Sequence, residues 1–326
     1  MSTPPSAWML APASEQGLVL GEVAWVLVIG AAVVFAITMG LLILSLKKRR
    51  LAIPVAWWVI GGGMVFPVVV LSALLVYSTA RTAGLDRPPT ADPLVISVTG
   101  HLWWWEIQYR DPATGQPIAL ANELRVPLGR PVQLGLSSAD VIHSVWVPAL
   151  GGKMDTVPGR VNRLVFTPSR VGTYRGVCAE YCGQQHARMA LHVVVMPPHE
   201  FDAWLAAQAR PAREASAATD PTLSALLRRG RQAFADQGCA ACHTIRGHHD
   251  PAPEAVPGAT PPLGPDLTHI ASRLTLGAGV LPMQPGAIAH WLTDLQTLKP
   301  GARMPSMQHL DADTLRALSA YLEHLP

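Results

Sequence analysis

The stretch Cys178-Ala-Glu-Tyr-Cys182-Gly-Gln-Gln-His186-Ala-Arg-Met189 places two cysteines, a histidine and a methionine in one short segment. A second histidine, His143, lies upstream in Asp-Val-Ile-His-Ser-Val-Trp. Two thiolates, two imidazoles and one thioether form a soft ligand set that suits copper. A mononuclear blue-copper site needs only one cysteine, so the segment favours two copper ions that share both sulfurs. Each ion would be capped by one histidine, with the Met189 thioether and a loop carbonyl oxygen in weaker positions.

A four-ligand zinc site is the alternative interpretation of the same residues. Its ligands would be the two histidines and the two cysteines, His143, Cys178, Cys182 and His186. This alternative leaves Met189 without a role, so we prefer the copper pair.

Short segments rich in β-branched and aromatic residues surround this stretch, and Gly, Pro and Asp separate them. The segments are residues 94–98, 103–109, 132–136, 141–147, 161–166 and 191–196. Strands at this spacing predict an all-β sandwich or barrel.

The segment resembles the CuA domain of cytochrome c oxidase subunit II, whose signature is C-x-E-x-C-x3-H-x2-M after an upstream histidine. Every position of that signature matches. The resemblance extends to Gly100-His-Leu-Trp-Trp-Trp105 and to Gly152-Lys-Met-Asp155-Thr-Val-Pro-Gly-Arg160. It implies a cupredoxin-like domain in a subunit of a haem-copper oxidase.

The resemblance also implies roles for individual residues. Copper would be held by five side chains and one backbone carbonyl, those of His143, Cys178, Cys182, His186, Met189 and, for the carbonyl, Glu180. The Glu180 carboxylate would reach a magnesium or manganese ion at the border with subunit I, with Asp155 near that ion. Trp103 resembles the exposed tryptophan through which electrons enter from cytochrome c, although Leu102 and Trp104 stand where glutamine and tyrosine are common. Taken alone, a run of three tryptophans is typical of core and interface packing.

A second motif, Cys239-Ala-Ala-Cys242-His243, is the C-x-x-C-H attachment site for haem c. Both thiols add to the haem vinyl groups, and the adjoining histidine is thereby aimed at the iron. A redox-active C-x-x-C that happens to precede a histidine is the alternative. The sixth iron ligand is predicted to be Met304, because Lys299-Pro-Gly-Ala-Arg-Met304-Pro resembles the K-P-G-x-x-M-P loop of class I cytochromes c. Met283 and Met307 are the other candidates.

The rest of the C-terminal part has helical spacing. We predict a short helix at residues 199–210, a linker after it, a helix at 223–237 and a surface loop at 248–262. The segment Gly264-Pro-Asp-Leu-Thr-His-Ile-Ala-Ser-Arg273 also resembles class I cytochromes c, in which the arginine lies near a haem propionate.

Two charge-free runs, residues 23–46 and 51–80, lie near the N-terminus. At about 1.5 Å per residue each run crosses a hydrocarbon core of roughly 30 Å. The basic cluster Lys47-Lys48-Arg49-Arg50 between them should stay in the cytoplasm, so both termini face outward. A cleaved signal peptide lacks support, because no basic segment precedes the first run and no small-residue cleavage site follows it. A buried soluble hairpin is the other alternative.

Composition agrees with a membrane-anchored chain of several domains. The chain has 326 residues, of which 49% are hydrophobic and only 14% charged, which is too apolar for a purely soluble protein. The net charge of +3 and the scattered basic residues exclude a nucleic-acid partner. The four cysteines form two close pairs beside histidines, which indicates metal and haem binding instead of a disulfide framework.

The sequence therefore predicts a multidomain membrane protein with a two-helix transmembrane hairpin, an all-β cupredoxin-like CuA domain and an all-α class I cytochrome c domain. The predicted divisions are an N-terminal tail at 1–18, the hairpin at 19–80, the CuA domain at 92–198, a linker at 199–222 and the cytochrome c domain at 223–326.

Both predicted centres have complete ligand sets, which suits electron transfer better than substrate chemistry. The resemblance implies a subunit of a terminal respiratory oxidase that takes electrons at haem c from cytochrome c or another c-type donor. It passes them through dinuclear CuA to subunit I, where oxygen is reduced to water with proton translocation. Subunit III is a further expected partner. The expected location is the bacterial inner membrane, as a multi-pass chain with both domains on the periplasmic side.

Other functions remain open. A CuA-containing nitric oxide reductase would use a similar subunit, and a membrane-anchored copper carrier belongs to a different class. A quinol oxidase subunit II would normally lack the copper ligands.

Overall fold

The computed structural model describes residues 9–47, 54–85, 87, 92–214, 218–250 and 263–326. Parts of five predicted features lie outside these ranges. They are residues 1–8 of the tail, 48–50 of the basic cluster, 51–53 of the second charge-free run, 215–217 of the linker and 251–262 of the surface loop.

Two helices carry the charge-free runs. Helix α1 spans Glu15–Leu46, and the second helix begins as a π-helical segment, Trp57–Val65, that continues into α2, Phe66–Thr82. Both are long and apolar enough to cross a membrane. Pro67 lies two positions after the end of the π-helical segment, so the wider turn falls in the part of the helix where proline removes a backbone N–H.

The first turn of α1 is bonded to the β domain. Ser14 caps the helix by accepting a hydrogen bond from the Gly17 amide, and its hydroxyl donates to the Leu150 carbonyl at 2.6 Å. The Ala13 amide donates to the Ala149 carbonyl at 2.7 Å. A Cβ on Gly17 would lie 2.8 Å from that same carbonyl oxygen, so the helix approaches the domain as closely as glycine allows.

Ten strands form the β domain. They are β1 Leu94–His101, β2 Trp104–Arg110, β3 Pro117–Ala121, β4 Glu123–Pro127, β5 Val132–Ser138, β6 His143–Trp146, β7 Met154–Thr156, β8 Asn162–Phe166, β9 Gly172–Cys178 and β10 Ala190–Met196. One sheet has the order β3-β2-β1-β5-β8 and the other β4-β10-β9-β6-β7. Alternating residues such as Ile96, Val98 and Trp105 are fully buried in the shared core. The predicted all-β sandwich is confirmed.

The C-terminal domain is mainly helical, as predicted. Before this domain, helix α3, Pro198–Gln208, packs on the sandwich. The elements of the domain are α4 Pro221–Asp236, the two-residue strands β11 Thr275–Leu276 and β12 Leu281–Pro282, α5 Ala287–Leu298 and α6 Ala312–Glu323. Helices α4 and α6 touch at Gly230, where any Cβ would overlap the Ala317 carbonyl. Phe234, Leu318 and Tyr321 are buried in the core of this domain.

The prediction of a surface loop is wrong for its first residues. The His248 side chain is fully buried and its Nδ1 lies 2.9 Å from the Tyr321 hydroxyl. The His249 ring packs on Phe234 with centroids 4.9 Å apart. The two rings pack against the core because each combines apolar faces with polar nitrogens.

The helical domain is docked on the sandwich. The Ala190 amide, at the start of β10, donates to the Ala278 carbonyl at 2.9 Å, and the Leu274 amide donates to the Glu123 carboxylate at 2.8 Å. The chain between the domains is also held, since Arg246 donates to the Gln208 carbonyl at 2.7 Å. The predicted linker therefore leads into a domain that is held to the sandwich by hydrogen bonds.

Candidate metal and haem sites

The sandwich brings the predicted copper ligands together at one end. The two cysteine sulfurs lie 3.7 Å apart. Cys178 Sγ is 3.9 Å from His143 Nδ1, and Cys182 Sγ is 3.7 Å from His186 Nδ1. Cys182 Sγ is also 3.9 Å from Met189 Sδ. Each cysteine is therefore paired with a different histidine.

This pairing suits two ions better than one. The ligand atoms of His143, Cys178 and Cys182 lie within 4.8 Å of one another, and His186 is outside that compact group. A single tetrahedral zinc would need all four ligand atoms at about 2.0–2.3 Å from one point. The Glu180 carbonyl, 3.2 Å from Cys178 Sγ, supplies an oxygen near the sulfur pair.

The loops hold His143 in one orientation. Its Nε2 lies 2.8 Å from Asp140 Oδ1, and a carboxylate there accepts the Nε2 proton and leaves Nδ1 free toward Cys178. Asp140 also accepts a hydrogen bond from the Leu102 amide at 2.8 Å. Gly100 provides the space for the ring, since a Cβ there would lie 2.7 Å from His143 Cδ2.

The environment of these residues is dry. The exposed fractions of His143, Cys178, Cys182 and Met189 are 0%, 5%, 4% and 1%. The hydrogen bond between the two thiols lowers the pKa of Cys178 and raises the pKa of Cys182, so it favours one thiolate in the pair. Buried sulfur and imidazole donors in this arrangement fit a copper pair.

The residues predicted near a magnesium or manganese ion flank a lysine. Lys153 Nζ lies 3.3 Å from Glu180 Oε2 and 3.7 Å from Asp155 Oδ1, and all three side chains are partly exposed. The two carboxylates thus meet at one cationic group.

A cavity of about 290 Å³ lies at the other predicted centre. Its wall includes Cys239, Cys242, His243 and Met304. The remainder of the wall is mostly apolar, with contributions from Phe234, Leu267, Ile270, Ile288, Leu292, Leu318 and Leu322. An apolar cavity with both thiols and an imidazole on its wall fits a covalently attached haem.

His243 is oriented by its backbone neighbours. Its Nδ1 lies 2.8 Å from the Pro265 carbonyl, which only accepts, so Nε2 is left as the free nitrogen. A Cβ on Gly264 would lie 2.5 Å from His243 Cε1, so glycine is required for this ring position. Burial lowers the pKa of His243, which favours the neutral ring that binds iron.

The three candidate methionines differ in position. Met304 and Met307 line the cavity, and Met283 is not part of its wall. Met307 is only 7% exposed and belongs to the helical core, whereas Met304 is half-buried at the cavity.

Trp103 lies between the two centres. Its half-buried side chain lines the haem cavity together with Leu102 and Trp104. Its indole Nε1 donates to the Cys182 carbonyl at 2.8 Å. Trp104 stacks on His101 with centroids 4.3 Å apart, and Trp105 is fully buried beside His143.

Sequence reasoning missed the residues that orient the ligands. Asp140, Gly100 and Gly264 all lie in segments that the sequence analysis singled out, but it gave none of the three a role. The signals were an acidic residue three positions before His143 and glycines that open the other two segments.

Comparison with known proteins identifies both domains. Residues 112–196 match the sequence model of the cytochrome c oxidase subunit II periplasmic domain, and residues 227–326 match that of cytochrome c. Cytochrome c oxidase subunit 2 of Alkalihalophilus pseudofirmus is 32% identical over 276 residues, which cover 84% of this chain and 73% of the relative. The Bacillus subtilis (strain 168) protein of the same name is 31% identical over 280 residues, covering 83% and 74%.

A solved structure, the periplasmic domain of subunit II of cytochrome oxidase from Bradyrhizobium japonicum, is 32% identical. It covers 37% of this chain and 95% of that chain, with a TM-score of 0.34. The two candidate transmembrane helices agree with a membrane-anchored subunit. From the ligand geometry and the match over most of the sequence, the chain belongs to the cytochrome c oxidase subunit II family, in a form that carries a C-terminal cytochrome c domain.

Proposed function

We propose that this chain receives electrons at haem c from a c-type donor and delivers them through a dinuclear CuA centre to subunit I. There, oxygen would be reduced to water with proton translocation. The observation that carries the proposal is the position of Trp103, which lines the haem cavity and bonds to a predicted copper ligand.

Membership of the family supports the general role. The two matched domains indicate copper and haem c as cofactors, and the oxidase family implies further oxidase subunits and a c-type donor. When bound, the two groups supply one-electron oxidation and reduction with their coordination positions already filled.

The side chains of this chain would prepare both centres. We propose the copper ligands His143, Cys178, Cys182, His186 and Met189, with the Glu180 carbonyl. Asp140 holds the His143 ring, and burial of the sulfurs excludes water. A rigid, dry shell keeps the geometry the same before and after an electron arrives.

For haem c we propose attachment at Cys239 and Cys242, with His243 and Met304 as the side chains that would bind the iron. The bond from His243 Nδ1 to Pro265 presents Nε2 to the cavity. Arg273 also lines the cavity, and its half-buried positive charge would attract a carboxylate of the haem.

Glu180 and Asp155 carry carboxylates that suit magnesium or manganese. We propose that such an ion would replace Lys153 between them.

The chain would lie in the bacterial inner membrane with both domains on the periplasmic side, and subunit III would be a further partner. We propose the domain divisions predicted from the sequence, with the CuA domain at 92–198 and the cytochrome c domain at 223–326.

Metal analysis of the purified full chain with its partners tests the proposal. We expect two coppers and one haem c per chain, with near-infrared absorption from mixed-valence copper. One zinc and no copper would contradict it.

The copper-carrier function predicts copper that a chelator removes readily, whereas burial of the sulfurs predicts slow removal. Copurification with a subunit that carries the active-site residues of a nitric oxide reductase would favour the nitric oxide reductase function.

A further inference from the structure

Lys299 opens the Lys-Pro-Gly segment that precedes Met304, and it is only 4% exposed. Its Nζ lies 2.8 Å from the Trp103 carbonyl, 3.0 Å from the Arg188 carbonyl and 2.7 Å from the Gly277 carbonyl. An ammonium has three N–H donors and a carbonyl only accepts, so these contacts use every donor.

The three acceptors lie at the places where the two centres approach each other. Trp103 lines the haem cavity and bonds to Cys182. Arg188 directly precedes Met189 in the copper loop, by which we mean the segment 178–189 that holds most of the predicted copper ligands. Gly277 begins the turn 277–279 of the haem domain, whose three residues all have a positive φ.

That turn is itself part of the interface. The Ala278 carbonyl accepts the Ala190 amide at 2.9 Å, and a Cβ on Gly279 would lie 2.9 Å from the Ala190 side chain. The turn therefore sits against the first residue of β10, next to Met189.

Side chains of the copper loop hold the Lys299 segment from the other direction. Gln185 Nε2 donates to the Pro300 carbonyl at 2.7 Å, and Arg188 donates to the Leu298 carbonyl at 2.7 Å. The loop between two predicted copper ligands is thus bonded to the segment that leads to the predicted haem ligand.

Burying this cation has a cost, because its three partners are neutral carbonyls. Burial lowers the pKa of Lys299 well below its usual value. A well-packed apolar residue would join two domains without that desolvation cost. What an ammonium provides instead is three directed bonds that fix three backbone segments around one atom.

We propose that Lys299 is a positioning residue for electron transfer inside this chain. The proposal rests on the proposed function, in which the electron lost by haem c is the one gained by the copper pair. Lys299 holds the Trp103 backbone, the copper loop and the turn 277–279 together, and so fixes the separation of the two centres.

The test uses the complete oxidase with Lys299→Met, which keeps the length of the side chain and removes the charge and the donors. After rapid reduction by a c-type donor, we follow haem c oxidation and copper reduction by absorption. Transfer between them should slow severalfold, because the separation of the two centres is no longer fixed by the three bonds of Lys299. Reduction of haem c by the donor should keep its wild-type rate.

A second measurement does not depend on bound metals. Amide hydrogen exchange at Ala190 and Leu274 reports whether the domains are docked, because both amides donate across the interface. Lys299→Met should speed exchange at Ala190 at least about tenfold, since hydrogen bonds to charged groups contribute about 1.5–3 kcal/mol.

Two further variants sharpen the result. Arg316→Met removes a positive charge at a side chain 67% exposed in the same domain, and should change neither the rate nor the exchange. Lys299→Arg should fail to restore the rate, because a planar guanidinium cannot direct its donors toward these three carbonyls.

A wild-type transfer rate in Lys299→Met would overturn the proposal, whether or not exchange changes. A wild-type rate of transfer from haem c to copper in Lys299→Arg would show that the three directed bonds of the lysine are not required. Failure of the proposed function is a separate result, in which wild-type haem c is reduced and no electron reaches copper. Exchange at Ala190 would then still show whether Lys299 holds the domains together.

Discussion

The indole nitrogen of Trp103 donates a hydrogen bond to the carbonyl oxygen of Cys182 at 2.8 Å. One end of this contact is the wall of the haem cavity and the other is the backbone of a predicted copper ligand. The Trp103 side chain is half-buried against that wall, and we propose that it takes electrons from haem c of this chain.

Replacing Trp103 with phenylalanine keeps an aromatic ring and removes the N–H donor. We expect transfer from haem c to copper to slow, because the ring loses its hydrogen bond to the Cys182 carbonyl. Trp146→Phe is the matched control, since it removes a bond from an indole to the Gly151 carbonyl away from the haem cavity. Equal rates in wild type and Trp103→Phe would show that the indole bond is unimportant.

Cys182→Ser should abolish the copper centre while haem c stays attached. Cys182 Sγ contacts Cys178, His186 and Met189, so its loss removes the contact shared by these donors. Copper analysis and the near-infrared band measure the result, and Cys242→Ser should show the opposite pattern. A retained near-infrared band in Cys182→Ser would contradict the ligand assignment.

Met304→Leu should shift the absorption spectrum and the reduction potential of haem c. Met283→Leu should not, because Met283 is outside the cavity wall. Met307→Leu should cost less than about 1.5 kcal/mol of stability, as exchanges of similar volume in a core do, and leave the spectrum unchanged. A larger spectral effect from Met307→Leu would identify Met307 as the axial side chain.

Gly100→Ala and Gly264→Ala should each disturb one centre and spare the other. The added methyl would lie 2.7 Å from His143 Cδ2 in the first variant and 2.5 Å from His243 Cε1 in the second. Each clash should cost about 1–3 kcal/mol through displacement of the ring. Copper content should fall only in Gly100→Ala and the haem spectrum should change only in Gly264→Ala, so each variant is a control for the other.

His192 should make the protein less stable in mild acid. Burial lowers the pKa of His192 and nearby Arg175 lowers it further. Between that lowered value and the unfolded value near 6.5, the unfolded chain binds more protons, so the free energy of unfolding falls as pH falls. Urea unfolding at pH 7 and pH 5.5 should show a smaller pH effect in His192→Gln than in wild type. An unchanged difference would assign the acid sensitivity to other groups.

The sequence was sufficient for the fold class because period-two patterns, charge-free runs and two ligand motifs are local signals. It located β1, β2, β5, β6, β8 and β10, and it did not locate β3, β4, β7 or β9. In strand β9, Gly172–Cys178, the small Gly176 is buried and the apolar Val177 is half-buried, so its period-two pattern is weak until its partners β6 and β10 are known.

The ligand-orienting residues and the interface were beyond sequence reasoning for a different reason. Asp140 acts through a bond to His143, and Lys299 through three carbonyls that are distant in sequence. A backbone carbonyl is the same in every residue type. The sequence around residues 103, 188 and 277 therefore does not predict that their carbonyls accept hydrogen bonds from one lysine.

The bonds at the start of α1 also change what counts as one folding unit. Ala13 and Ser14 are fully buried, and they contact Ala149 and Leu150, which are far away in the chain. A soluble fragment that begins at β1 would lack this piece and would leave those carbonyls to water. The β domain is therefore assembled from two separate parts of the chain, one before and one after the two apolar helices.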